Sequence, residues 1–280
     1  MDINLGSQRL VRLGETYSVD QIQGLALTKR IDAFGQMAKL FSRPRPEDIE
    51  VDAPRKRYEP FWYAAASSRY AYDRHHVYRV EVPANVRSVT VAGQEFPVAT
   101  GGRAPAIEVE ATNFCVEEEH RELLVDGVHG EESNDLRKYL THEKIEVDDV
   151  ATLEDGGATV SQPAVLGSFV VRKLVNSMMK TFHADAVREE KIDVDELILY
   201  YRPVYAVEYH WKAKDKRQVL EFDAVTGEAK AEATQVKRQV LKVLENDALF
   251  DIGADTIGML VPGSNIAIKV ARFGARKAIG

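Results

Sequence analysis

Tyr58-Glu59-Pro60-Phe61-Trp62-Tyr63-Ala64 crowds aromatic residues around one proline, and Tyr201-Arg202-Pro203-Val204-Tyr205-Ala206-Val207 repeats the pattern. Aromatic and β-branched residues at this density favour strands. The likeness continues outward. Asp73 follows Pro60 and Asp215 follows Pro203 at nearly equal spacing, and a second strand resumes at Val77 and at Val219. Pro83-Ala84-Asn85 and Thr226-Gly227 then supply turns. The pattern predicts a duplicated strand-turn-strand unit. Asp73 and Asp215 would occupy equivalent turns. Each proline would start its strand, where a missing amide costs no ladder bond. The competing reading is two unrelated hairpins that share aromatic-rich strands.

Helical signals flank both units. Ser18-Val19-Asp20-Gln21 is a capping box, and Leu27, Ile31, Phe34, Ala38 and Phe41 then recur at helical spacing. Ser42-Arg43-Pro44-Arg45-Pro46 ends that helix, and residues 42–56 read as an extended linker. Ser161-Gln162-Pro163 opens a second helix with Leu166, Val170, Leu174, Met178 and Phe182 on one stripe. Residues 113–142 are mixed and acidic and are expected to be partly helical. A polar helix at about 229–246 carries Val236, Val240 and Val243. The expected class is α+β: two small antiparallel sheets with packed helices, plus helical N- and C-terminal arms. The predicted boundaries are 1–46 for the N-terminal arm and linker, 47–150 and 151–232 for the two units, and 233–280 for a C-terminal helix and apolar tail.

Glu221-Phe222-Asp223-Ala224-Val225-Thr226-Gly227-Glu228, preceded by a helix and two strands, resembles the end of PepSY-type modules, which often close on an Asp-Ala-x-Thr-Gly-Glu strand and turn. The resemblance spans residues 163–230 and implies a small α/β module there.

Composition sets the remaining limits. The chain has 280 residues, 45% of them apolar and 29% charged, as globular proteins do. A net charge of -7 argues against a general nucleic-acid binder. Cys115 is the only cysteine, so no intramolecular disulfide forms. The sequence opens without a basic-then-apolar leader and holds no run of ~18 apolar residues. A cytoplasmic location is the expectation.

Common catalytic signatures do not occur: no phosphate loop, no Gly-x-Gly-x-x-Gly, no Gly-x-Ser-x-Gly and no His-Glu-x-x-His. Cys115, Glu119 and His120, with His129 beyond, form a zinc-type or nucleophile-base set by residue type. A lone cysteine is more often a small buried hydrophobe. Glu117-Glu118-Glu119 and Glu131-Glu132 read as solvated faces. The hairpin tips mix bases with aromatics: Tyr72, Arg74 and His75 in one, Trp211, Lys214, Lys216 and Arg217 in the other. Such side chains can stack on bases and track phosphates, but a half-buried antiparallel sheet shows the same alternation. In the tail, Ile266, Val270 and Phe273 belong to an apolar stretch whose last fifteen residues carry Lys269, Arg272, Arg276 and Lys277 and no acid. That stretch suits a partner protein, a second subunit, the chain's own core or an anionic membrane surface. The sequence therefore reads as a non-enzymatic interaction or scaffold protein, working without a cofactor and contacting a protein partner or another copy of itself. Peripheral contact with an anionic membrane is a further option, and nucleic acid ranks below both. A metal-binding protein or enzyme centred on Cys115 and His120 is the alternative.

Overall fold

A computed structural model describes residues 1–35, 38, 44–99, 101–154 and 156–231. Phe41, the Ser42-Arg43 helix stop, and the tail from Ala248 with Ile266, Val270 and Phe273 lie outside the described residues. So does most of the helix expected at about 229–246.

The elements run β1 (Asp2–Leu5), β2 (Gln8–Leu13), α1 (Val19–Lys29), β3 (Ile49–Val51), β4 (Arg55–Glu81), β5 (Ser88–Val91), β6 (Gln94–Pro97) and β7 (Ala106–Asp126). There follow β8 (Lys144–Glu146), β9 (Thr159–Val160), α2 (Gly167–Met178), β10 (Ala186–Trp211), β11 (Lys216–Asp223) and β12 (Ala229–Ala231).

One mixed sheet of ten strands replaces the two small sheets expected from the sequence. Its centre is β10, a strand of 26 residues. Along one edge β10 pairs antiparallel with β4 and then β3. Along the other it takes β1 and β2 in parallel and β11 antiparallel. β4 in turn carries β7 and, briefly, β9. β5 and β6 form a separate two-stranded hairpin.

The duplication does not stand. Asp73 lies within β4, which runs 27 residues without a break, whereas Asp215 does occupy a turn, with φ of 45°. A single aspartate lowers strand preference by less than about 1 kcal/mol, and here ladders on both sides hold the backbone. Arg188 also grips the Asp73 carboxylate at 2.8 and 3.0 Å. No glycine or proline interrupts residues 61–82, so nothing else stops the strand. The two similar segments are neighbours rather than copies in separate units: Tyr58 pairs with Pro203, Glu59 with Arg202 and Pro60 with Tyr201.

Neither proline starts its strand. Pro60 accepts a hydrogen bond from Gly127 N–H (3.0 Å), and Pro203 accepts one from Ala224 N–H (3.0 Å). Each therefore turns its missing amide toward a neighbouring strand at the point where that strand's ladder ends, which costs no bond.

The capping box at Ser18 and Gln21 forms, but α1 ends at Lys29 and buries Ile22 and Ala26, leaving Leu27 exposed. A short turn at Asp32–Phe34 follows, and Gly35 leaves it at φ of 79°. Residues 46–51 of the expected linker form a helical turn and β3. Of residues 113–142, expected to be partly helical, 113–126 are strand because they stay paired to β4, and Asn134–Thr141 form a helix of the tighter 3-10 type. α2 starts at Gly167, later than the Ser161 signal, and buries Val170, Leu174 and Met178. Phe182 lies past its end, with its ring stacked on Tyr72 (4.6 Å) and edge-on to Tyr70 (5.6 Å). Residues 229–231 are β12 rather than the beginning of a helix.

Three apolar clusters hold the body. Trp62, Ala64 and Ala66 on one sheet face meet Val170, Leu174 and Met178 of α2. Phe61, Tyr63 and Ala65 on the other meet Leu136 and Tyr139. Ile22, Ala26 and Phe34 cover Tyr205, Val207, Tyr209 and Trp211 at the far end of β10. No helix among the described residues is long and apolar enough to cross a membrane.

Candidate functional site

β4 outruns its neighbour. β10 begins with Ala186 opposite Asp73, and from Arg74 onward β4 has, among the described residues, β7 alone beside it. Residues 74–81 and 106–113 therefore leave the body as a two-stranded ribbon of about 27 Å, at ~3.4 Å per residue. The β5–β6 hairpin belongs to the connection between these strands. Beyond Asp73 every β4 residue is exposed.

The pairing register sorts the ribbon into two faces. One carries His75 and Thr112, Val77 and Glu110, Arg79 and Glu108, and Glu81 and Ala106. The other carries His76 and Ala111, Tyr78 and Val109, and Val80 and Ile107, with Arg74 and Asn113 at the base. The first face is mainly charged and polar, and the second is apolar. That apolar face continues the one that α2 covers in the body, since Trp62, Ala64, Ala66, Tyr70 and Tyr72 share its parity. On the body, Tyr70 donates to Met178 O (3.0 Å) and Phe182 closes over Tyr72. On the ribbon, Tyr78 is 45% and Val80 48% exposed. Val187, opposite Tyr72, and Met179, just past α2, extend the apolar strip at the base, 52% and 45% exposed. The Tyr78 ring is steadied by a bond to Asn113 Oδ1 (2.9 Å) and an edge contact with His76 (4.5 Å).

A second concentration of chemistry is internal. Arg202 donates to Glu59 (2.6 Å), to the Tyr139 hydroxyl (2.7 Å) and to Asp223 (3.2 Å). Arg57 bonds Glu59 and Glu221, and Tyr139 bonds Asp223. Burial opposes the charged Arg202 guanidinium, but Glu59, Tyr139 and Asp223 outweigh it and raise its pKa. Burial raises the Tyr139 phenol. Asp223 also accepts from the Val225 and Thr226 amides (2.8 and 3.1 Å), so the Asp-Ala-Val-Thr-Gly motif is a side-chain-capped turn. Gly227 completes that turn at φ of 75°. A shallow dent opens over this network, lined by Glu59, Arg202, Val204, Glu221, Asp223, Glu228 and Lys230. Its floor of charges is engaged internally, which makes it a cross-brace between β4, β10 and β11.

The expected site residues scatter. Tyr72 is buried beneath Phe182, while Arg74 and His75 are exposed at the root of the ribbon. Trp211 is buried against Phe34 (5.6 Å), because it faces the α1 side of β10. Lys214 sits over its ring at 5.0 Å, and Arg217 pairs with Glu208 at 2.6 Å, with Lys216 exposed beside them. The two proposed tips therefore stand at opposite ends of β10 and cannot form one surface.

Cys115 and His120 point to opposite faces of β7, five residues and about 16 Å apart. Glu119 shares the Cys115 face but lies about 13 Å along the strand. No metal-type cluster forms among the described residues. Glu119 is held below its ordinary pKa by hydrogen bonds from Lys180 and then Arg121. His120 instead meets Ser67 (3.3 Å), whose hydroxyl donates to Asp195 (2.7 Å). The Ser67 hydroxyl stands between them, with the carboxylate 3.9 Å from the ring, so the imidazole is not hydrogen-bonded to the carboxylate as a nucleophile's base would be.

The apolar partners Val80, Ile107, Val109 and Ala111 escaped the sequence reading. The signal was present in the alternation of Tyr78 and Val80 with Val77 and Arg79, but it points to an interface only once β10 is seen to stop. No family model, curated protein or solved structure matches the chain.

Proposed function

We propose that this chain is a non-enzymatic interaction protein that docks another protein on the apolar face of its projecting ribbon. The observation that carries the reading is the exposure of Tyr78 and Val80 on the sheet face that the body covers with α2. A two-stranded ribbon alone in water is marginally stable, and three strands or a covering element are the usual remedy. Strict alternation of apolar and charged faces serves a sheet with one face buried. The ribbon has that alternation, and among the described residues Tyr78 and Val80 lack the cover, while Ile107 beside them is buried. The cytoplasm is the proposed setting, in keeping with a single cysteine.

A photo-crosslinking amino acid at position 78 or 80, irradiated in the native cell, tests this. A discrete protein adduct is expected, and none from the exposed position 20 on α1. An adduct to nucleic acid or lipid, or equal labelling from all three positions, overturns the reading.

A further inference from the structure

We infer that the open β4 edge of the ribbon pairs with the same edge of a second copy of this chain, antiparallel about a two-fold axis at Val80. The pairing uses the ribbon's edge and leaves its apolar face open to the partner proposed above.

The hydrogen bonds of β4 show which groups the edge offers. Asp185 N–H donates to Asp73 O (2.9 Å) and the Asp185 carboxylate accepts from His75 N–H, so odd-numbered residues turn their amides and carbonyls away from β7. Beyond His75 the odd-numbered residues are Val77, Arg79 and Glu81, and no strand lies beside them among the described residues. Such an edge is a template for another strand. A ribbon of two strands also gains, by pairing, the further strands that stability in water needs.

Sterics and charge select both the register and the partner. Facing residues exchange both their bonds at such an edge, so odd residues must face odd ones. An axis at Val77 or Tyr78 would set the second copy's Glu81 against Asp73 or His75, where Ala186 and Asp185 already lie. An axis at Arg79 or Glu81 would set that residue against its own copy, and like charges directly opposite are destabilising. An axis at Val80 sets Arg79 against the second copy's Glu81, and Glu81 against its Arg79. Arg79 bonds Ala104 O (3.0 Å) and lies 3.9 Å from Glu108, and its remaining donors can take a second carboxylate. On the other side chain face Val80 meets Val80, with Ile107 behind each, and Tyr78 meets Val82. A base and an acid placed evenly about one apolar residue make the strand complementary to itself, as a closed two-fold contact requires. An unrelated strand would gain nothing from that spacing.

Sedimentation of the full-length protein tests this. Wild type is expected to be a dimer. Arg79→Glu and Glu81→Arg should each be monomeric, because each makes both edge pairs like-charged. An equimolar mixture of the two should dimerise, and so should the double variant alone, since opposite charges then face each other again. Independently of charge, Val80→Cys in a Cys115→Ser background should form an inter-chain disulfide under oxidation. Residues on the axis form a non-hydrogen-bonded pair with Cα atoms about 4.5 Å apart, inside the roughly 4.4–6.8 Å that a disulfide spans. Tyr78→Cys in the same background should form none, because the two copies of that residue stand about 14 Å apart along the strands. A monomeric wild type overturns the pairing, and so does a dimer that both charge variants leave intact. A mixture that stays monomeric, or a disulfide formed as readily at position 78 as at 80, overturns it too. Docking on the apolar face is read by cross-linking and survives each of these results.

Discussion

Glu59 of β4 and Arg202 of β10 stand directly opposite each other and are joined at 2.6 Å. They occupy the same place in the two similar segments, one residue before each proline, so the likeness supplies opposite charges to adjacent strands. Removing one partner of a buried pair leaves the other uncompensated and costs about 3–5 kcal/mol. Arg202→Met should lose that much in urea unfolding. Glu59→Leu combined with Arg202→Met should lose clearly less than the two single losses added together. Additivity within about 0.5 kcal/mol would show that the two residues are not coupled.

Tyr201, two places from Pro203, is buried and its hydroxyl lacks a hydrogen-bond partner among the described residues. An unsatisfied buried hydroxyl costs about 1–3 kcal/mol. Tyr201→Phe should therefore leave stability unchanged or raise it by about 1 kcal/mol, against the usual direction of a core substitution.

The same tyrosine sets an alkaline limit. Burial pushes the Tyr201 phenol up to about 12 from an ordinary 10.0, and Tyr205 likewise, there with help from Glu15. A raised folded-state pKa favours the neutral form, so its contribution is whole below about pH 10 and disappears as the pH climbs toward about 12. Stability measured across that window should fall, and fall less in Tyr201→Phe. A parallel decline in both proteins would detach Tyr201 from the effect.

The strand content near both prolines, the α1 cap and the α2 stripe at Val170, Leu174 and Met178 were legible, because each depends on neighbours in sequence. Sheet topology was not. Residues 58–81 read as a strand, a turn at Asp73 and a second strand from Val77, because Asp73 sits at the spacing of the turn residue Asp215, and local chemistry cannot reveal that β7 and β10 hold Asp73 extended. The Cys115 and His120 set failed for a related reason. Cys115, Glu119 and His120 were grouped by residue type and nearness in sequence, and neither shows that five residues of β7 span ~16 Å and end on opposite faces.

A consequence for metal chemistry follows. Cys115→Ser should change stability by only about 1 kcal/mol, since a half-buried small side chain is being exchanged. Metal analysis of untagged protein should give the same content in wild type and variant. Stoichiometric zinc lost with the thiol would require Cys115 to reach ligands outside the described residues.

The ribbon's backbone makes the sharpest prediction, because proline can separate its two edges. Asp185 N–H donates to Asp73 O (2.9 Å) and the Asp185 carboxylate accepts from His75 N–H, so odd-numbered residues of β4 face the lane that β10 occupies lower down. Pro60 O and Val82 N–H bond toward the β7 side, which assigns even-numbered residues to that ladder. Val77 N–H therefore points into open solvent, and Tyr78 N–H points at Val109. Val77→Pro removes no ladder bond and should leave the ribbon paired. Tyr78→Pro removes one and also crowds its neighbour, at a cost of about 2–3 kcal/mol felt mainly by the ribbon. Amide hydrogen exchange at Ile107, Val109 and Ala111 reads the difference: protection should persist in the first variant and collapse in the second, with the body unchanged in both. Equal damage from the two prolines would mean that β4 and β7 pair in another register, and the apolar face assigned to Tyr78, Val80 and Val109 would dissolve with it.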